Sequence, residues 1–477
     1  MGNAVLVPRV GLVVVTSPME IGFDSAPRLL EQASAALDMA GMQVVQPSVL
    51  SDAAGARELA LSYTGLDALC VVAASWAEDY LVYDLLAHMD AKPPVLAWAI
   101  PGLHTGALCG THQLCYLLRE IKHPYGFAYG HLTDESARSR AIAFCQAAAA
   151  RRALGRSRFA QVGARTNGMS DVAIDELGLA SNFGVRLIAR SEQWLTEKAG
   201  LVDEESARAV WRQVCDSAGC NRVPDREGLL AARYYLALRE FVRAEHISGV
   251  TVECYPGLMG RVCLPMALLA EFDDVVGACE SDVNGAVAMR VLSWLTGQPV
   301  HNTDLLAENE SENTAVFSHC GSSAFCLAET RKSIRLESCR LANVGVTGQF
   351  PGRAGRVTLV NLVGRGGNYR LGATTGEAVV ADVGFPGNPV TVRLDVPIRA
   401  FINGVPELGL GHHWMIGEGD VLEAVKDLAR LVDIPVLHPG GDPAELRIPR
   451  MPAPRKSSPS PHEAETSVPI PSATRDI

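Results

Sequence analysis

Two carboxylates, Glu280 and Asp304, stand 24 residues apart at the ends of a run reading CESDVNGAVAMRVLSWLTGQPVHNTD from Cys279. Glu280 follows a short apolar strand, Val275–Ala278. Asn284-Gly285 then opens a helical pattern that reaches Leu295, and Thr296-Gly297 and Gln298-Pro299 lead into a second strand ending at Asp304. In α/β proteins chemistry gathers at strand ends beside helix N-termini, where the helix dipole favours an anion. The strand–helix–strand unit therefore predicts that Glu280 and Asp304 meet at one sheet edge. Carboxylates so placed act as acids and bases or as ligands for a hard cation. Each also has a plainer reading: Glu280 as a helix-start charge, Asp304 as a strand-ending Asp. Asp282 reads as the helix cap rather than a ligand.

Further candidates lie outside this run. Gly411-His412-His413-Trp414 offers two imidazoles, which point in different directions on most backbones, so one of the two is expected at a site. Glu253 ends an apolar strand in Thr251-Val252-Glu253-Cys254. Desolvating an unpaired carboxylate is costly, so it belongs either in a cleft or in solvent. His301 and His319 read as pocket-lining or structural residues, and Ser322 and Ser323 as hydrogen-bonding residues or as small residues in a tight loop. Arg365-Gly366-Gly367-Asn368 is basic and glycine-rich, but no helix with Lys-Ser/Thr follows, so it reads as a hairpin turn and not as a phosphate loop.

The run from Glu280 resembles the C-terminal part of the second domain of L-fucose isomerase. Glu280-Ser281-Asp282 matches its E-x-D segment, Ala288-Met289 its A-M pair, Leu295-Thr296-Gly297 its L-T-G turn, and Asp304 its Asp, without a gap. Ser318-His319-Cys320-Gly321-Ser322-Ser323-Ala324 resembles the small-residue loop that follows. Gly411–Gly417, the helix to Leu431 and Ile434-Pro435 resemble the segment holding that family's third ligand. Similarity to the L-fucose/L-arabinose isomerase superfamily spans Gly249–Ala328 and Val405–Leu437. It implies that Glu280, Asp304 and His413, with His412 the alternative to the last, hold a divalent metal, Mn2+ first. Two carboxylates and one imidazole form a hard, incomplete shell suited to such an ion. The resemblance further implies that Glu280 and Asp304 are the acid/base pair, either one being the base. Glu253, His319, Ser322 and His412 are the expected substrate contacts. The activity implied is a metal-dependent aldose–ketose isomerisation of a free sugar through an enediolate, in a homo-oligomer, trimer or hexamer. A metal-dependent epimerase or lyase acting on a modified sugar or specialised metabolite, and a non-catalytic sugar-binding protein on the same fold, are the competing readings.

The elements that must position these residues read as an α/β fold: two consecutive open parallel-sheet α/β domains, residues 1–157 and 158–307, then a β-rich, barrel-like C-terminal domain, residues 308–450. Val10–Val15, Gln43–Val45, Ala68–Ala73 and Pro94–Ala99 are apolar runs separated by helical patterns, the rhythm of parallel strands with crossover helices. No G-x-G-x-x-G follows the first strand, so no dinucleotide site is expected. Long helices are expected from Ser191 to Ala218 and from Asp225 to Ala244. Short strands at Val357–Leu362, Asn368–Ala373, Glu377–Val383 and Val390–Val396 give the β-rich part its character. The Pro- and Ser-rich end, residues 451–477, cannot offset its ordering entropy and reads as a disordered tail. A net charge of −11 argues against a general nucleic-acid binder. No apolar run reaches membrane-spanning length, no signal peptide is read at the start, and the twelve cysteines lack zinc-site spacing. A cytoplasmic protein with reduced thiols is the expectation.

Overall fold

Runs of β-branched and apolar residues with no polar alternation must be covered on both faces, as in parallel sheets under helices. The chain begins this way. The structure, a computed structural model, describes residues 5–380 and 384–441; the expected tail and part of the expected strand Glu377–Val383 lie outside the described residues. Strands β1 (Arg9–Val15), β2 (Gln43–Leu50), β3 (Ala68–Ala73), β4 (Val95–Ala99) and β5 (Tyr125–Tyr129) form a parallel sheet in the order β2-β1-β3-β4-β5. The fifth strand was not expected. Its Tyr-Gly-Phe-Ala-Tyr sequence is short, ends at an exposed tyrosine and is only partly buried.

A second parallel sheet follows, from β6 (Arg158–Val162) and β7 (Arg186–Arg190). After the two-residue β8 (Cys220–Asn221) come β9 (Ile247–Val252) and β10 (Val276–Ala278), giving the order β10-β9-β6-β7. The helix expected over Ser191–Ala218 is two helices, Glu192–Leu201 and Glu204–Ser217. Asp203 starts the second by accepting a hydrogen bond from the Ser206 N–H, which fixes the break.

The β-rich part is a mixed sheet of β11 (His301–Asn309), β12 (Thr314–Ser318), β15 (Gly355–Val363), β16 (Arg370–Val379), β17 (Val390–Leu394), β18 (His413–Glu418) and β19 (Val436–Leu437). Its ladders run β15-β18-β11-β12-β17-β16, and β16 pairs back to β15, so the circuit of pairings closes. Strands β13 (Arg335–Glu337) and β14 (Thr347–Gln349) join β8 in a small separate sheet. Two corrections arise here. Asn368–Ala373 and the start of Glu377–Val383 belong to one strand, β16, because Thr374-Thr375-Gly376 stays paired in the ladder and does not turn. A helix at Ile398–Glu407, which contains Pro406, went unseen in the sequence.

Helix Val283–Thr296 ties the sheets together. Every residue from Val283 to Leu295 is buried, as befits a helix that is apolar on nearly all sides. One continuous core joins it to Trp98 and Phe144 of the first sheet's layer and to Val360, Met415 and Leu428 of the β-rich part. Helices Glu135–Leu154 and Leu422–Leu431 also pack together. There Arg140 and Asp427 form a two-pronged ion pair, with Nη2 2.8 Å from Oδ1 and Nη1 on Oδ2. Burial pushes the Asp427 carboxyl above its ordinary range, against the pull of Arg140. Arg140→Ala leaves that carboxylate with Arg430 alone, and a loss of about 3 kcal/mol in urea unfolding at neutral pH is expected. A carboxyl whose pKa is raised by folding favours the fold when protonated, so the deficit should shrink in mildly acidic buffer.

Candidate active site

Glu280 sits just past β10, on the approach to the buried helix. Glu280 and Ser281 both take left-handed backbone conformations, φ 62° and 61°. Two such residues in succession are strained, about 1 kcal/mol or more each, and persist only where the surroundings over-determine them. Here they do. The Ser281 N–H donates to Val252 O (3.1 Å), the Asp282 N–H to Cys279 O (3.1 Å), and the Thr166 hydroxyl to Glu280 O (3.3 Å). This double turn directs the Glu280 side chain away from the helix and toward the β-rich sheet.

Asp304 arrives from that sheet. The sequence places it at the end of a strand sharing a sheet edge with Glu280; the structure places it inside β11, in the mixed sheet. In the ladders Asp304 stands opposite His413 of β18 on one side and Ser318 of β12 on the other. One cross-strand row therefore aligns Asp304, His413 and, one residue beyond Ser318, His319. The reason is non-local: β11 pairs with a strand more than a hundred residues away, which no strand–helix–strand pattern can announce.

The side chains converge. His413 Nε2 lies 3.2 Å from Glu280 Oε2 and 3.8 Å from Asp304 Oδ1; His319 Nε2 lies 3.9 Å from Asp304 Oδ2; His412 Nε2 lies 3.7 Å from Glu280 Oε2. Glu280, His412 and His413 bring ligand atoms within 4.8 Å of one another, as do Asp304, His319 and His413. His413 is common to both groups. Asp282 sets its ring: one carboxylate oxygen caps the helix by accepting from the Gly285 N–H (2.8 Å), and the other accepts from His413 Nδ1 (2.8 Å). That hydrogen bond leaves Nε2 facing Glu280 and Asp304, the arrangement by which an outer carboxylate orients an imidazole ligand. Asp171 holds His412 in the same way, Oδ2 to Nδ1 2.5 Å.

The electrostatics follow from this crowding. Burial alone would raise the Glu280 pKa, but His412 and His413 outweigh it and hold the carboxyl well below the usual range. Burial works against a charged His413, yet Asp282 and Glu280 lift its pKa to about 9, and Asp171 and Glu280 lift that of His412 to about 9. The carboxylates thus raise the affinity of the site for positive charge. Four buried atoms here, Asp304 Oδ1, His413 Nε2 and both ring nitrogens of His319, have no hydrogen-bond partner among the described residues. Unsatisfied buried polar atoms are costly, and in this cluster all are potential ligand atoms. The donor set fits a divalent cation.

A cavity of about 160 Å³ borders Glu280, Asp304 and His319 and continues past Cys320, Arg340, Gln349 and Phe385. Glu253 and Ser322 do not line it. The Glu253 carboxylate instead accepts from the Ala164 N–H (2.5 Å), beside Glu192, and ties down the loop after β6. Ser322 is buried with its hydroxyl 3.4 Å from Cys279 Sγ. His412 joins the ligand cluster through Glu280 but is not part of the cavity wall. All twelve cysteines are free thiols, and among the described residues no helix is long and apolar enough to cross a membrane. Sequence reasoning did not find Asp171, Arg340 or Phe385, which sit in irregular segments without periodicity. It recognised Asp282 only as a cap.

No family model matches the chain. Similar curated proteins are a sulfoquinovose isomerase of Alkalicoccus urumqiensis, 26% identical over 414 residues (80% of this chain, 90% of that protein), and one of Priestia aryabhattai, 24% identical over 380 residues (77% and 84%). A third, from a Clostridium species, strain MSTE9, is 28% identical over 356 residues (71% and 79%).

Proposed function

We propose that the chain, similar over most of its length to sulfoquinovose isomerases, is a sugar isomerase of the L-fucose/L-arabinose isomerase superfamily that interconverts an aldose and a ketose by metal-assisted proton transfer at Glu280 and Asp304. The observation that carries this reading is the convergence of Glu280, Asp304 and His413, the two carboxylates lining a cavity, with buried ligand atoms that have no hydrogen-bond partner among the described residues. These three residues would hold a divalent ion, Mn2+ first, and His319 and His412 stand beside them. When bound, such an ion supplies Lewis-acid polarisation of the sugar carbonyl and stabilises the charge of an enediolate.

The chain's own residues move the protons and fix the geometry. One carboxylate of the Glu280/Asp304 pair takes the proton from C2 of the aldose and returns it to C1, while the hydroxyl proton passes from O2 to O1. Asp282 and Asp171 hold the two imidazoles in place through their Nδ1 atoms. Sulfoquinovose, the sugar in the names of the similar proteins, is the first substrate to try. The trimer or hexamer implied by the family resemblance belongs to this reading, and sedimentation equilibrium checks it.

The test is metal removal. Protein stripped with a chelator should lose sugar isomerisation and regain it on addition of Mn2+, Co2+ or Mg2+, and the product formed in D2O should carry deuterium. Full turnover by the stripped protein would sink the metal assignment. Conversion without any deuterium in the product, over short and long reaction times, would point to hydride shift in place of an enediolate.

A further inference from the structure

The cavity wall carries two chemically different sets of side chains. One is acidic and imidazole-rich, formed by Glu280, Asp304 and His319. The other comprises Arg340, the one Lys or Arg among the described lining residues, Gln349 at the end of β14, and Phe385. The Arg340 guanidinium lies over the Phe385 ring, its carbon 5.5 Å from the ring centroid. It makes no ion pair with any carboxylate of the described residues. Elsewhere this chain pairs its arginines readily: Arg353 with Glu418, Arg356 with Asp395 and Asp420, Arg290 with Asp274. An arginine on a cavity wall, its fork without an ion-pair partner among the described residues, is placed to receive an anion from within the cavity.

A neutral sugar has no group that this charge would select. A sulfonate or phosphate on the sugar does. Guanidinium donors match two oxygens of a tetrahedral oxyanion at once. Stacking on Phe385 restrains the side chain before the ligand arrives, which lowers the entropy lost on binding.

We infer that Arg340, braced on Phe385, binds the anionic group of the substrate and makes this a site for acidic sugars. The inference deepens the sugar-isomerase reading and rests on it for the identity of the cavity as the substrate pocket.

The experiment compares sulfoquinovose, glucose 6-phosphate and glucose on the full-length, Mn2+-loaded protein, by calorimetric Kd and by steady-state kcat and KM, for wild type, Arg340→Gln, Arg340→Lys and Phe385→Leu. Wild type should prefer one of the acidic sugars to glucose, and whether the sulfonate or the phosphate is preferred identifies the anion. Arg340→Gln should reduce that preference roughly ten- to hundredfold, mainly through Kd and KM. Arg340→Lys should restore part of it, since it keeps the charge and loses the fork, and Phe385→Leu should give a smaller loss in the same direction. Equal shifts for acidic and neutral sugars in Arg340→Gln, or a wild type that binds acidic sugars no better than glucose, would overturn the inference. If the acidic sugar binds through Arg340 but is never isomerised, the isomerase reading falls and this inference stands. If it is isomerised equally well without Arg340, the inference falls and the reading stands.

Discussion

Glu280→Gln is expected to lower kcat/KM on the sugar substrate by about a thousandfold or more, with the fold intact. The size of the effect follows from two losses at one atom. The amide cannot accept the sugar proton, and removal of a positioned acid or base costs about 10²–10⁴ in rate. It is also a poorer ligand than a carboxylate for a hard divalent ion. Gln fits the same space and the same left-handed backbone position as Glu, so the turn between β10 and the buried helix should survive. Thermal unfolding at neutral pH without added metal is expected to fall modestly, because the interactions with His412 and His413 that outweigh the burial of the Glu280 charge are weakened in the amide. Activity within about tenfold of wild type would remove Glu280 from the chemistry. A collapsed melting temperature would instead assign it a structural role.

The second large effect is expected at Asp282, whose two carboxylate oxygens have separable duties. Asp282→Ala removes both the cap on the Gly285 N–H and the acceptor for His413 Nδ1. The cap is worth about 1 kcal/mol, and loss of an outer carboxylate that orients a ligand imidazole costs about 10- to 100-fold in metal affinity or activity. Asp282→Asn divides the two. Its one carbonyl oxygen can still serve Gly285, while its NH2 group faces His413 and cannot accept from the ring. The Asn variant should therefore unfold close to wild type in urea and still bind Mn2+ weakly. An Asn variant with wild-type metal affinity would mean that the His413–Asp282 hydrogen bond does not tune the ligand. Loss of stability equal to that of Ala would mean that the cap and the orienting bond cannot be separated.

Much of this arrangement was legible because its physics is local. The strands around Val10–Val15 and Ala68–Ala73 are apolar without alternation, since parallel strands under helices are covered on both faces. The helix after Glu280 announced itself by Asp282 and Asn284-Gly285 at its start and Gly297 at its end, and both ends are where the sequence puts them within two residues. Glu280, Asp304 and the His412-His413 pair could be named because a family resemblance carries residue identities at fixed spacing. Residue identity and spacing therefore determined which groups are the candidates for the chemistry.

What brings those groups together was decided by tertiary structure. Asp304 meets His413 through the antiparallel pairing of β11 with β18, and the closure of that long loop leaves no trace in local periodicity. Glu253 reads equally well as a cleft residue, yet a backbone N–H of the loop after β6 claims its carboxylate. Asp282 orients His413, and Asp171 holds His412 across a separation of 241 residues. Arg340 and Phe385 come from two irregular loops and meet over one cavity. A side chain's chemistry is a property of its own atoms and is written in the sequence; its partners, burial and charge environment are set by contacts between segments far apart in the chain, which exist only once the sheets have paired.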